Sequence, residues 1–130
     1  MNLNLSESIK SHPYYKFLVK LLFIIQLITG LVLLIADLVW SYFIIKGLNY
    51  LGHLPEYGDT EIISFDGLDR IILIYSTVFM VWGLIIWSIG FTLNIIFKLY
   101  RINKLIYVGL IAFAFNLIIL FSPSFAWALD

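Results

Sequence analysis

From Phe17 to Ile45 the chain reads FLVKLLFIIQLITGLVLLIADLVWSYFII, an almost unbroken apolar run interrupted only by Lys20, Gln26, Thr29, Asp37 and Ser41. Those five residues are spread too thinly to make one polar side of a helix. A helix that is apolar all round belongs in a large protein core or in a bilayer. The run is about 29 residues, and a hydrocarbon layer about 30 Å thick needs about 20 in helical form. It is therefore long enough to cross once with some tilt. It is too short for a hairpin of two crossings, which needs about 40 residues. A cleaved leader is also excluded as a reading: its apolar core would hold about 7 to 15 residues, and no A-x-A pattern of small residues follows here.

Two further runs repeat the signal. One extends from Ile71 to about Phe97 without a charged residue, and the other, LIYVGLIAFAFNLIILFS, from Leu105 to Ser122, is stopped by Pro123. Pro13 suits the first turn of a helix, where its missing N–H is not needed. Between the runs, residues 46–70 carry Gly47, Gly52, Pro55, Gly58 and an Asp66-Gly67 turn signal and read as an acidic loop. Residues 98–104, KLYRINK, read as a short basic connection. With 62% hydrophobic and 12% charged residues in 130, nothing is left over for a separate soluble domain. The expectation is an all-α membrane protein, one domain over 1–130, with three transmembrane helices at about 17–45, 71–97 and 105–122.

Charge gives that topology a direction. Of the eight Lys and Arg residues, Lys10, Lys16, Lys20, Lys98, Arg101 and Lys104 fall on one side of three spans, and only Lys46 and Arg70 on the other. The excess of Lys and Arg on cytoplasmic segments then sets the N terminus in the cytoplasm and the C terminus outside. The loop with Glu56, Asp59, Glu61, Asp66 and Asp69 is outer. Trp40, Tyr42, Tyr75 and Trp127 would form an outer aromatic belt, and Tyr14, Tyr15, Tyr100 and Tyr107 an inner one. The expected location is the cell (inner) membrane, crossed several times.

Few residues within the runs carry chemistry. Asp37 is the one ionisable group well inside a span, and such groups are functional candidates because burying a charge in lipid is costly. Counting 20 residues from Phe17 sets it near the outer edge of the hydrocarbon, beside Trp40 and within reach of a cap from Ser76 or Thr77. Lys20 is its inner counterpart, with a stem long enough to bring the ammonium to water. Gln26, Thr29, Ser88, Asn94 and Asn116 are uncharged polar groups that seek partners, and facing other helices supplies them. Ser76, Gly83 and Gly90 recur every seven residues, which aligns three small side chains as a packing seam. That period favours left-handed helical packing, against another span of this chain or a second copy. Gly109, Ala112 and Ala114 form a weaker small patch.

Several functions lack the residues they need. There is no cysteine, so no disulfide, thiolate nucleophile or Cys-ligated metal. His12 and His53 lie outside the spans, against a membrane haem. No hydrolase, phosphate-loop or dinucleotide motif occurs, so no enzyme, no cofactor and no catalytic or metal-binding residue is expected. The loop acids lack the spacing of a calcium loop. With zero formal net charge and scattered basic residues, nucleic acid is not a partner. The reading that remains is a small non-catalytic packing or accessory subunit of a homo- or hetero-oligomeric membrane complex. Its partners are then the lipid bilayer and either a second copy or a larger membrane protein. Two alternatives differ in class. One is an oligomeric pore or membrane-perturbing effector lined by Asp37, Thr29, Gln26 and Asn116. The other is an immunity or inhibitor protein that binds another membrane protein. In size and in its cytoplasmic N terminus the chain resembles small three-span bacteriocin immunity proteins. In length and span count it resembles the small anchor subunits of respiratory complexes.

Overall fold

The computed structural model describes residues 10–55 and 67–125, which are mostly helical with no strand among them. Helix α1 is Pro13–Leu51, 39 residues long. It begins where the sequence permits: Pro13 sits in the first turn, and His12 caps that turn by accepting the Tyr14 N–H on Nδ1 at 3.4 Å. It ends at Gly52, whose left-handed backbone (φ 78°) lets its N–H reach the Leu48 carbonyl at 2.9 Å. Helix α2 is Gly67–Phe97, 31 residues. It is followed by Lys98 at φ 49°, a left-handed position filled without a glycine. Helix α3 is Lys104–Leu120, 17 residues, opened by Asn103, whose Oδ1 accepts the Ile106 N–H at 3.0 Å.

Helices α1 and α2 are both long and apolar enough to cross a membrane, whereas α3 is apolar but shorter. At 1.5 Å per residue α1 is about 58 Å long, well beyond a single hydrocarbon thickness. The helices accordingly run past the apolar segments. Residues 46–51 continue α1, and 67–70 belong to α2, so the loop expected over 46–70 is shorter by both pieces. The cause is local pairing, because Lys46 Nζ lies 2.9 Å from Asp69 Oδ2 and Gly47 is buried. Glycine at 47 does not break the helix; the first residue to do so is Gly52. The acids Glu56, Asp59, Glu61 and Asp66, and Trp127 on the tail, lie outside the described residues. At the other end α3 stops at Leu120, two residues before the expected limit, where Phe121 and Ser122 turn back onto the Leu117 and Ile119 carbonyls.

The central element is α1, against which α2 and α3 each pack, and those two touch each other only sparsely. Its buried side contains Gln26, Leu33, Trp40 and Gly47 at seven-residue steps, with Thr29, Ala36 and Phe43 between them. Leu73, Met80, Trp87 and Asn94 repeat the same step on α2. From α3 the core receives Ile106, Ala112 and Ile119. Trp87 is the wedge where the three helices come closest, stacked on Phe91 at 4.8 Å and Phe113 at 5.0 Å between centroids. Beside it Gly30 and Gly109 bring two backbones together. A Cβ on Gly30 would lie 3.3 Å from the Gly109 Cα.

The outward surface is the inverse of a soluble protein's. Ile28, Leu31, Ile35 and Leu38 are all more than half exposed, while Gln26, Thr29 and Asp37 on the same helix are buried. Trp40 belongs to the inside as well. Rather than serving in an outer belt, it is 0% exposed and packs on Phe125 at 4.9 Å. The segment after α3 folds back over it, held by the Ser124 hydroxyl donating to the Pro55 carbonyl at 2.8 Å. Tyr42 and Tyr75 are exposed.

Candidate functional site

The buried polar residues form two layers along α1, one on each side of the Trp87 wedge. The first is centred on Gln26, 2% exposed. Its Nε2 donates to the Trp87 carbonyl on α2 at 3.3 Å, and its Oε1 accepts the Tyr100 phenol O–H at 3.2 Å. Tyr100 in turn donates its backbone N–H to Asn94 Oδ1 at 2.9 Å, so Asn94 secures the turn that follows α2 and does not reach across to another helix. Burial raises the Tyr100 phenol above the ordinary 10.0, because the phenolate loses hydration there. Phe23 meets the same ring edge-on at 5.3 Å.

The second layer lies further along α1. Asn116, 0% exposed, donates from Nδ2 to the Leu33 carbonyl on α1 at 2.9 Å and to its own Ala112 carbonyl at 2.8 Å. Leu33 is also the residue whose carbonyl the Asp37 N–H would take in a regular helix, so Asn116 enters the backbone ladder one turn from Asp37. Asp37 itself is 9% exposed, and its Oδ1 is buried with no hydrogen-bond partner among the described residues. Ser76 Oγ, Trp40 Nε1 and Asn116 Oδ1 share that condition. The expected cap on Asp37 is thus not made: Thr77 donates to its own Leu73 carbonyl at 2.8 Å, and Ser76 Oγ bonds nothing. The first follows from the helix, since a hydroxyl one turn after a carbonyl satisfies itself there; Ser76 Oγ makes no such bond.

Two other expectations change in the same way. Thr29 faces inward, but its hydroxyl donates to Ile25 at 2.8 Å and Gln26 at 3.2 Å within α1. Ser88 donates to Ile85 at 2.9 Å on its own helix. Neither joins two helices.

The small-residue seam on α2 faces α1 of the same chain. A Cβ on Gly83 would lie 3.0 Å from Leu33 Cδ2, and one on Gly90 would collide with Gln26 Oε1. These pairs step together, 33 with 83 and 26 with 90, and the next step sets Ser76 opposite Trp40. A stripe of large residues on α1 thereby fits a stripe of small ones on α2. Gly109 and Ala112 on α3 are buried, but Ala114 is exposed and outside that contact. Gly30 and Trp87 are residues of this site that the sequence did not single out, and Tyr100, expected in an inner aromatic belt, instead turns its phenol to Gln26. Gly30 lies within an apolar run and has no spacing to mark it. The Tyr100–Gln26 contact joins residues 74 apart, which no local pattern encodes.

Neither layer brings together a nucleophile, a base and an acid. No group of three or more His, Asp or Glu able to hold a metal occurs among the described residues. At the loop end Asp69 is engaged with Lys46, and His53 Nδ1 lies 2.9 Å from the Leu54 carbonyl. The chain matches no protein-family model, no curated protein and no solved structure.

Proposed function

We propose that this chain is a multi-pass membrane protein of three spans whose role is to pack, without catalysis, as an accessory subunit in an oligomeric membrane complex. The membrane part of the reading is supported by the inverted surface: aliphatic side chains outward and amides inward cost free energy in water and none in lipid. Helix α3, about 26 Å at 1.5 Å per residue, suffices for the third crossing with modest thinning of the bilayer. The seven-residue steps on α1 and α2 favour left-handed crossing. The clustering of Lys20, Lys98, Arg101 and Lys104 at one end favours a cytoplasmic N terminus.

The observation that carries the accessory role is Asp37. A carboxyl group within a span costs up to about 2.5–3.5 kcal/mol unless a donor meets it. Its own chain supplies none among the described residues. Asp37 keeps 9% of its surface exposed, and a helix of a second copy or of a larger protein that brings a hydroxyl, amide or cation to that exposed part lowers the cost. The small seam no longer serves this purpose, since α1 already occupies it. An inhibitor or immunity role would use the same surface on a different partner. A pore is less well supported: Gln26, Thr29 and Asn116 spend their hydrogen bonds inside the chain and are not free to line a lumen.

The test is crosslinking in native membranes followed by blue native gels in a mild detergent, for the wild type and Asp37→Leu. The expected result is a species larger than the 15.1 kDa chain that weakens in the variant. Monomers alone in the wild type would overturn the proposal.

A further inference from the structure

The end of the molecule where α1 begins and α3 starts contains a groove of about 700 Å³. Lys20 stands on the α1 wall, and Arg101 and Lys104 stand on the opposite one. Between them the wall is apolar, made by Val19 and Phe23 of α1 and Ile102 of the connection. All three cations are exposed, and none forms an ion pair among the described residues. The described carboxylates are elsewhere: Asp37 is in the helix core, and Asp69 is bound to Lys46 at the far end. The first turn of α3 opens at the groove, adding the positive end of a helix dipole to the three charges.

We infer that this groove holds the headgroup of an anionic glycerophospholipid. The inference rests on the membrane reading above and extends it to a particular class of lipid. Three cations arranged around a hollow between spans match a phosphodiester at the membrane surface, where each Lys or Arg strengthens attraction to anionic lipid about fivefold. The apolar wall decides between a lipid and a free anion. A soluble phosphate meets only the cationic rim and leaves Val19, Phe23 and Ile102 bare, whereas a lipid covers them with its glycerol and the first carbons of its chains. The volume is within the range of small-molecule sites, about 300–1,000 Å³. Tyr100 adds a structural link, since it lines the groove and its phenol O–H donates to Gln26 in the core. A bound lipid therefore braces the α2–α3 connection against α1.

The experiment uses the full chain reconstituted in bilayers of phosphatidylcholine with a minor fraction of phosphatidylglycerol. Insertion is first scored by resistance to alkaline carbonate. The protein is then extracted in mild detergent and its retained lipids are weighed by native mass spectrometry. The expected result is phosphatidylglycerol retained at least tenfold over its bulk fraction. Arg101→Gln and Lys104→Gln should each reduce that enrichment about fivefold. Lys98→Gln removes one charge from the same end but not from the groove wall, and it should leave the enrichment within twofold. Equal loss in Lys98→Gln would overturn the site in favour of general surface attraction. So would wild-type retention that mirrors the bulk composition. Displacement of the lipid by millimolar inorganic phosphate would identify an anion site and overturn the lipid assignment. Chain that carbonate releases would refute the membrane reading itself, a result distinct from inserted chain that shows no lipid preference. Far-UV circular dichroism of each variant verifies the helices, and the wild-type retention stands as a test without any variant.

Discussion

Gly109→Ala adds one methyl group where α3 meets Trp87 and the α1 backbone. Its Cβ would lie 2.9 Å from Trp87 Nε1 and 3.4 Å from the Gly30 Cα. Neither neighbour has room to retreat. Trp87 is 1% exposed and clamped between Phe91 and Phe113, and the Gly30 atom is backbone. Overpacking of this kind costs about 1–3 kcal/mol. Alanine returns about 1 kcal/mol in helix propensity, which leaves a net loss of about 0–2 kcal/mol, centred near 1. The assay is reversible unfolding in mixed micelles, followed by far-UV circular dichroism and tryptophan fluorescence. A second arm separates the contact from the backbone. In a Trp87→Phe background the smaller ring vacates the space, and Gly109→Ala should then cost less than about 0.5 kcal/mol or become stabilising. If Gly109→Ala costs the same in both backgrounds, the wedge does not set the α1–α3 crossing.

Four further outcomes test other parts of the structure. Lys98→Gly should stabilise by about 1 kcal/mol in the same unfolding assay, because Lys98 pays for a left-handed backbone (φ 49°) that glycine adopts freely. Gly52→Ala should destabilise by about 1 kcal/mol, since the same conformation (φ 78°) ends α1 and forms its closing hydrogen bond. Asn116→Ala should cost about 1–2 kcal/mol by removing the amide that bridges to Leu33, and no loss would show that the bridge contributes nothing in lipid. For Tyr100 the raised phenol gives the sign directly: its contribution is fully present below the ordinary 10.0 and is lost as pH rises through the higher folded value. Ultraviolet titration of tyrosinate should therefore show a late component that Tyr100→Phe removes, and a titration with no late component, or one that Tyr100→Phe leaves unchanged, would refute the burial.

How much of this was legible beforehand can be judged residue by residue. Pro13 marked the start of α1 correctly, and the helical character of all three apolar runs followed from their length. The loop over 46–70 was overextended because glycines and charges were read as helix breakers. The structure keeps Gly47 helical and uses Lys46 and Asp69 to tie two helices together. Buried amides were expected to link helices, and Gln26 and Asn116 do. Thr29 and Ser88 do not, because a short hydroxyl side chain reaches its own preceding carbonyl more easily than a neighbouring helix. The register of Ser76, Gly83 and Gly90 was visible as a period but its partner was not, since a period names a face and not what lies against it.

Composition and the order of apolar and polar segments determined that the described chain is helical and that α1 and α2 have the length and apolarity of membrane spans. These are properties of one segment at a time: hydrogen bonds within a helix satisfy the backbone whatever surrounds it, and transfer into lipid sums over side chains. Only the tertiary structure decided that α1 is the shared partner and that Trp87 wedges against Gly30 and Gly109. It likewise decided that Tyr100 reaches Gln26 and that Lys20 faces Arg101 and Lys104 across a groove. Each of those contacts depends on the relative rotation and register of two helices. Interlocking of large and small residues across both surfaces at once sets that geometry, and no single apolar run contains it.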